Sequence, residues 1–160
     1  NKKKRRLSLD GRIPLEDIVD KAKRKRIQGW ISDACEDLEV DKAIARNLKG
    51  VVFEVRQEYK SKDSKRQNAE IANATVAYTR AYLPCALIMS NQIDSDIRIR
   101  YRHEKWIILT GDSGVASPLS STYAFVESVI GYDLASFFER NAKILRAEVA
   151  KVLEALLRAT

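Results

Sequence analysis

The sequence contains few of the residues that build disulfide bonds, zinc sites or membrane spans. Among 160 residues there are two cysteines, one histidine, three prolines and six glycines. The longest apolar stretch, around Leu83 to Met89, is far shorter than the roughly 20 residues that a membrane-spanning helix needs. Cys35 and Cys85 have apolar neighbours and no metal-ligand spacing, so we expect reduced thiols in the core of an intracellular protein. His103 has no histidine or cysteine companion to complete a zinc site.

Several enzyme signatures are missing as well. The sequence has neither a P-loop nor a dinucleotide-binding glycine pattern. The loop Gly111-Asp112-Ser113-Gly114 has the form of a serine-protease nucleophile loop, but the chain is too short for two β-barrels and its one histidine lies in a predicted helix. The chain opens with Asn1 and a basic run, without an apolar signal segment. We therefore expect a cytoplasmic, prokaryotic-type protein without a membrane partner.

Positive charge is abundant and clustered. The formal net charge is +7 and the pI is near 9.5. The excess is concentrated at Lys2–Arg6, at Lys23–Arg26 and in the segment from Lys60 to Arg66. A basic excess of this kind favours polyanionic partners through their phosphate groups, although either of the first two clusters also suits a plain solvated surface.

Hydrophobic periodicity and turn residues predict helices that alternate with short strands. Helices are predicted at 14–36, 64–82, 94–104, 119–130 and 133–158, and strands at 51–59, 83–89 and 106–110. Residues 97–102 can also alternate as a strand, and residues 37–45 are ambiguous, with Leu38 and Val40 able to open a short strand. This order predicts an α/β fold with an at least partly parallel sheet. We expect a single domain over residues 1–160, with residues 1–12 as a basic arm.

The predicted strand at 51–59 has two different faces, because alternate residues of a strand share one face. One face carries Val51, Phe53, Val55 and Tyr59, and the other carries Glu54, Arg56, Glu58 and Lys60. The charged face suits either a solvated surface with ion pairs or the hydrolysis of phosphodiesters. In the second case carboxylates hold Mg²⁺, which polarises the phosphate, and a lysine orients the attacking water. Two triplets have the Glu-x-cation form, Glu54-Val55-Arg56 and Glu58-Tyr59-Lys60.

A basic turn follows this strand and opens the next predicted helix. Free N–H groups at a helix N-terminus bind phosphates, and basic or amide side chains reach phosphates and base edges. Basic residues of the predicted helix at 94–104 would likewise face solvent or DNA. The expected DNA contacts are Lys62, Lys65, Arg66, Gln67, Asn68, Arg100 and Arg102.

The segments Val52–Gln57 and Tyr59–Ala69 resemble type II restriction endonucleases of the Asp…Asp/Glu-x-Lys superfamily, PD-(D/E)xK, and within it the ApaLI-like group. The likeness covers roughly residues 45–111, through the strand at 83–89 to Trp106–Gly111. It implies a restriction-endonuclease-like core, with a helix, a sheet that carries metal ligands, a crossover helix and a further strand. It also implies site-specific cleavage of double-stranded DNA with Mg²⁺ as the cofactor.

The resemblance also implies metal ligands. The superfamily needs an aspartate upstream of the motif acid, and Asp41 is the favoured candidate, with Asp33 and Asp37 as alternatives. Asp41 and Glu54 are therefore the expected metal ligands, and Glu58 can replace either acid.

The sequence leaves open which residue is the catalytic cation, and it also permits two other kinds of function. Arg56 stands where the superfamily lysine would stand if Glu54 is the motif acid, which makes Lys60 the expected catalytic cation. The same basic turn also suits a non-catalytic DNA-binding module. An RNA-binding protein is consistent with the charge, but the sequence lacks exposed aromatic pairs that would stack unpaired bases.

The last predicted helix has an apolar seam. Its members recur at alternating steps of four and three residues: Phe138, Ala142, Leu145, Val149, Val152 and Leu156. This spacing suits packing between helices. It predicts either packing on the chain's own core or a homodimer contact, and a two-fold dimer would match the symmetry of duplex DNA.

Overall fold

The computed structural model describes residues 9–57 and 64–158, with side chains for all of these except residues 64–71. The strands in this part of the chain are β1 (Gly11–Pro14), β2 (Gly50–Arg56), β3 (Tyr82–Ile88) and β4 (Ile107–Leu109). The α-helices are α1 (Lys21–Asp37), α2 (Lys42–Arg46), α3 (Ser64–Thr79), α4 (Ser95–His103), α5 (Thr122–Phe125) and α6 (Leu134–Arg158). A 3-10 turn at Leu15–Asp17 and a π-helix at Val126–Ile130 complete the described elements.

The strands form one mixed sheet in the order β1-β2-β3-β4. β1 runs antiparallel to β2, with Gly11 opposite Phe53, whereas β2, β3 and β4 are parallel. Each parallel pair is joined through a helix, α3 and then α4, because parallel neighbours need a crossover connection. The predicted α/β fold, a mixed sheet flanked by helices with a long C-terminal helix, is confirmed.

Both faces of the sheet are covered, which explains why its strands are almost continuously apolar. One face packs against α1, α5 and the π-helix, and its core includes Trp30, Phe53, Cys85, Leu109 and Phe125. The rings of Trp30 and Phe125 lie 4.5 Å apart. The other face packs against α3 and α4, and its core consists of Ala74, Ala86, Ile88, Ile97, Tyr101, Trp106 and Ile108.

Side-chain caps decide where the first two helices begin. The Asp20 carboxylate accepts a hydrogen bond from the Lys23 N–H at 3.0 Å, so α1 starts at Lys21 and not near residue 14 as predicted. This hydrogen bond is also the main cause that lowers the pKa of Asp20. Pro14 ends β1 instead of opening the helix. A carboxylate cap of this kind satisfies N–H groups that the first helical turn leaves unpaired.

Residues 37–45 contain no strand, so the short strand considered for Leu38 and Val40 is wrong. Leu38 caps the C-terminus of α1. The Asp41 carboxylate then accepts hydrogen bonds from the N–H groups of Ala43 at 2.8 Å and Ile44 at 3.2 Å. These two bonds start α2 where the sequence pattern was ambiguous, because a capping aspartate favours a helix over an extended chain.

Among residues 9–57 and 64–158, three residues other than glycine adopt positive φ angles: Glu39 (52°), Ala81 (63°) and Lys105 (60°). Each follows a helix and donates its N–H to a carbonyl of the last turn, those of Glu36, Tyr78 and Arg102 respectively. Left-handed residues at this position commonly satisfy the final carbonyl groups of a helix. Ala81 and Lys105 thereby turn the chain back into β3 and β4.

α6 differs from the other long helices because none of its residues is buried. Every residue from 143 to 158 is exposed. Among the residues that the structure describes, no helix is both long and apolar enough to cross a membrane.

Candidate functional site

The carboxyl ends of β2, β3 and β4, with the residues that follow them, lie at one side of the sheet, here called the carboxyl edge. The Met89 N–H donates to the Arg56 carbonyl at 2.8 Å, and the Gly111 N–H donates to the Ser90 carbonyl at 2.9 Å. A Cβ atom on Gly111 would lie 2.0 Å from the Met89 carbonyl oxygen, so this close approach requires glycine. Proteins with parallel sheets usually bind their ligands at this edge.

Glu54 is the buried acid of this edge, with 7% of its surface exposed. It lies on the sheet face opposite Phe53, as the strand alternation predicted. The Arg56 guanidinium, two residues further on the same face, forms an ion pair with the Glu54 carboxylate, and the Arg56 side chain is 22% exposed. A buried carboxylate is costly unless it is paired, and Arg56 supplies an opposite charge within the same strand.

Asp10 lies next to this pair, although no pattern in the sequence selects it as a site residue. Its N–H donates to the Phe53 carbonyl at 2.9 Å, and its carboxylate accepts the Val55 N–H at 2.7 Å. Since Gly11 is opposite Phe53, one further step of the antiparallel register brings Asp10 opposite Glu54. The structure therefore brings two acids, Asp10 and Glu54, to the end of β2.

Asp41 lies elsewhere, and the structure does not bring it together with Glu54. Asp41 and Tyr78 line a groove of about 610 Å³ with residues that precede β3 and β4, including Thr79 and Lys105. This groove is at the amino ends of the parallel strands, across the sheet from the carboxyl edge. Asp41 also uses its carboxylate to cap α2, which gives it a structural role.

The two alternative upstream acids are also placed away from Glu54. Asp37 accepts a hydrogen bond from Arg102 at 2.9 Å through its carboxylate and another at 3.2 Å through its carbonyl. Asp33 lines a separate groove between α1 and the π-helix, beside Trp30 and Pro118. The contact with Asp37 also ties Arg102, an expected DNA contact, to the end of α1.

Several other predicted site residues, or their side chains, lie outside the part of the chain that the structure describes. Glu58, Lys60 and Lys62 lie outside the described residues. Lys65, Arg66, Gln67 and Asn68 belong to the first turns of α3, but their side chains are not described. Arg100 lies exposed on α4. Within the described part of the chain, no group of three or more histidine, cysteine, aspartate or glutamate residues is arranged to hold a metal ion.

α5 covers part of the carboxyl edge through side-chain hydroxyl groups. The buried Thr122 donates its hydroxyl to the Ile88 carbonyl at 3.0 Å. Ser121 donates its hydroxyl to the Asp112 carbonyl at 2.7 Å and accepts the Ala124 N–H at 3.3 Å. These bonds fix the loop after β4 beside the end of β3.

The cysteines are placed as structural residues. Cys35 and Cys85 are both buried, and burial raises the pKa of Cys35 to about 11. Burial raises the pKa of Cys85 as well. Since the thiolate is the reactive form, neither residue is suited to act as a nucleophile.

Comparison of the chain with protein-family models, with curated proteins and with solved structures found no match. Functional inference therefore depends on the chemistry of the carboxyl edge. Its distinctive feature is a buried glutamate, Glu54, with a cation and a second acid beside it.

Proposed function

We propose that this chain is a Mg²⁺-dependent endonuclease that hydrolyses phosphodiester bonds of double-stranded DNA, with the specificity of a type II restriction enzyme. The observation that carries the proposal is the buried Glu54 carboxylate at the carboxyl edge of a basic protein. The resemblance of residues 52–69 to restriction enzymes supports the same assignment. Such an enzyme would act in the cytoplasm of a prokaryotic cell.

The acids at the end of β2 fit a magnesium ion that also contacts substrate. Mg²⁺ is usually held by one or two carboxylates, with waters and phosphate oxygens as the other ligands. Glu54 and Asp10 are the two acids that would hold the magnesium ion, and Glu58 is the alternative ligand. When bound, the metal polarises the phosphate and lowers the pKa of a ligated water.

The chain's own cations have separate tasks in this proposal. Arg56 balances the Glu54 charge and is partly exposed at the edge, where its guanidinium suits a phosphate oxygen. Lys60 is the proposed cation beside the scissile phosphate, which orients the attacking water. The first turns of α3 follow, where backbone N–H groups and basic side chains would bind flanking phosphates.

A second candidate function is a non-catalytic DNA-binding module. The Glu54–Arg56 ion pair favours it, because an acid paired with arginine does not need a metal to offset its burial. In this alternative the basic start of α3 binds DNA and Glu54 has a structural role.

A plasmid-cleavage assay separates the two functions. We expect cleavage with Mg²⁺ and none without it. Glu54→Gln should reduce the rate by two orders of magnitude or more, about 3 kcal/mol of transition-state stabilisation. Lys60→Ala should lose a comparable amount while metal binding, measured by titration calorimetry, persists. The matched control Glu127→Gln removes an exposed carboxylate from the π-helix and should leave the rate unchanged. Near wild-type cleavage by Glu54→Gln would remove Glu54 from the mechanism and make Glu58 the next acid to test.

DNA binding without cleavage is tested by its salt dependence, because bound cations release counterions from the duplex. Neutralising Lys62, Lys65 and Arg66 together should weaken binding and flatten the plot of log affinity against log salt. The matched control neutralises the exposed cations Lys42, Arg46 and Lys49 around α2, far from the carboxyl edge. An unchanged slope in the first variant would exclude the proposed phosphate contacts.

A further inference from the structure

A groove of about 550 Å³, here called the α1 groove, lies between α1 and the π-helix. Small residues line it on both sides, Ala22 and Gly29 on α1 and Ser128 on the π-helix. Pro118, from the loop between β4 and α5, also lines it, and the Pro118 carbonyl accepts the Trp30 indole N–H at 2.8 Å. The groove therefore has walls that are fixed in place and that leave room for a ligand.

The α1 groove adjoins the carboxyl edge through α5. Thr122 is bonded to the Ile88 carbonyl at the end of β3, and Ser128 follows six residues later, about 9 Å away at the rise of a helix. The C-terminus of α1 lies at the opposite edge, because Asp37 contacts Arg102 in the last turn before β4. The first turns of α1 therefore lie on the side of the carboxyl edge.

This end of the α1 groove is basic. The first six residues of α1 are all exposed, and five of them are cations: Lys21, Lys23, Arg24, Lys25 and Arg26. Lys25 and Arg26 line the groove, whereas the lining acid Asp33 lies two turns further along α1. The Arg26 Nε donates to the Val129 carbonyl at 2.7 Å. This bond fixes the guanidinium, which has further N–H donors for a ligand.

Gly29 is not explained by the fold. It lies in the middle of α1, where glycine is less favourable than any residue except proline. Within the described part of the chain, a Cβ atom on Gly29 would have no neighbour within 4 Å, so packing does not require glycine there. Glycine also lets a ligand approach the backbone closely. The opposite wall is a π-helix, a rare element that frequently occurs at functional sites.

We propose that the α1 groove binds the phosphate backbone of duplex DNA beside the cleavage site, an inference that rests on the proposed nuclease function. Lys25 and Arg26 supply charges that bind phosphates, and Gly29 allows the DNA strand to lie against α1. The basic start of α3 belongs to the helix layer on the other face of the sheet. A duplex that crosses the carboxyl edge thus reaches cations on both sides of the sheet.

Substitution of Gly29 separates a binding role from a structural one. Gly29→Gln introduces a good helix former into open space, so the variant should melt a few degrees above the wild type. It should nevertheless bind a duplex of about 30 base pairs roughly tenfold more weakly, because its side chain occupies the groove. Fluorescence anisotropy in EDTA measures the affinity without cleavage. The matched control Ser32→Gln, exposed on α1 outside this groove, should bind as the wild type does. Wild-type affinity in Gly29→Gln would overturn the proposal.

Salt dependence tests the charges under the same conditions. Lys25→Gln should reduce the slope of log affinity against log salt by about 0.9, the loss expected for one phosphate contact. Lys42→Gln, an exposed cation on α2, is the matched control and should leave the slope unchanged. An unchanged slope in Lys25→Gln would overturn the proposal. So would displacement of the DNA by poly-glutamate at equal charge concentration, which would assign the groove to acidic protein segments.

The two proposals fail in different ways. If the groove variants lose affinity as expected but the wild type does not cleave plasmid with Mg²⁺, the nuclease activity is wrong and the DNA contact stands. If the wild type cleaves but Gly29→Gln and Lys25→Gln bind DNA normally, the groove contact alone is wrong.

Discussion

The ion pair between Glu54 and Arg56 predicts that its two members contribute unequally to stability. Arg56→Gln leaves a carboxylate that is 7% exposed without its arginine. Loss of one partner from a fully buried pair costs 3–5 kcal/mol, and we reduce this to about 2 kcal/mol because water reaches the Arg56 side chain. Glu54→Gln removes the charge that burial penalises, keeps its shape and leaves a partly solvated arginine, so it should cost about 1 kcal/mol or less.

Urea denaturation at pH 7 measures this difference in the free energy of unfolding. In a thermal unfolding experiment, Arg56→Gln should lower the melting temperature by about 4–8 °C in a domain of this size. The double variant Glu54→Gln/Arg56→Gln should be more stable than Arg56→Gln alone, because it also removes the buried carboxylate that has lost its arginine. Arg102→Gln is the control, since it breaks the exposed pair with Asp37, which should be worth less than 1 kcal/mol. Equal losses for Arg56→Gln and Glu54→Gln, or strictly additive effects in the double variant, would refute the assignment of the pair.

Three further predictions test features away from this pair. Asp41→Ala should destabilise the protein by about 1 kcal/mol through loss of the α2 cap, whereas Asp41→Asn should retain both stability and any plasmid cleavage. A large loss of cleavage in Asp41→Asn would indicate that Asp41 is a metal ligand after all. Burial raises the pKa of Cys35 to about 11 and also raises the pKa of Cys85. Neither thiol should therefore react with a disulfide reagent at pH 8 until the protein is unfolded, and rapid labelling of the native protein would contradict the buried placement. Ala81→Gly should raise the free energy of unfolding by up to about 1 kcal/mol, since glycine adopts positive φ without strain; a loss of stability in chemical denaturation would contradict this.

The strand β2 could be predicted from the sequence because its signals are local. Val51, Val52 and Phe53 favour extended backbone, and the alternation of side chains then places Glu54 and Arg56 on one face. Coverage of both sheet faces predicts that Glu54 is buried. The sequence pattern does not decide whether a metal ion or an arginine compensates the charge of Glu54, because both are suitable partners.

β1 and Asp10 could not be predicted, because their structure comes from a distant segment. Gly11-Arg12-Ile13-Pro14 is short and contains both glycine and proline, which disfavour strands. It becomes a strand by pairing with β2. The Asp10 carboxylate meets an N–H that is 45 residues away in sequence. Local periodicity cannot predict a contact between segments so far apart, so sequence order alone favours Asp41 as the upstream acid.

The lengths of the four strands have a consequence for solubility. The central strands β2 and β3 have seven residues each, whereas the outer strands β1 and β4 have four and three. An outer strand offers unpaired N–H and carbonyl groups to other chains, and short outer strands limit this templating of aggregates. β1 also ends in Pro14, which has no N–H to donate. On the far side of β4, Thr110 is already bridged to Ser121. The sheet is thus poorly suited to grow by strand addition, so a concentrated solution of this protein should resist fibril formation even though the sheet interior is rich in β-forming residues.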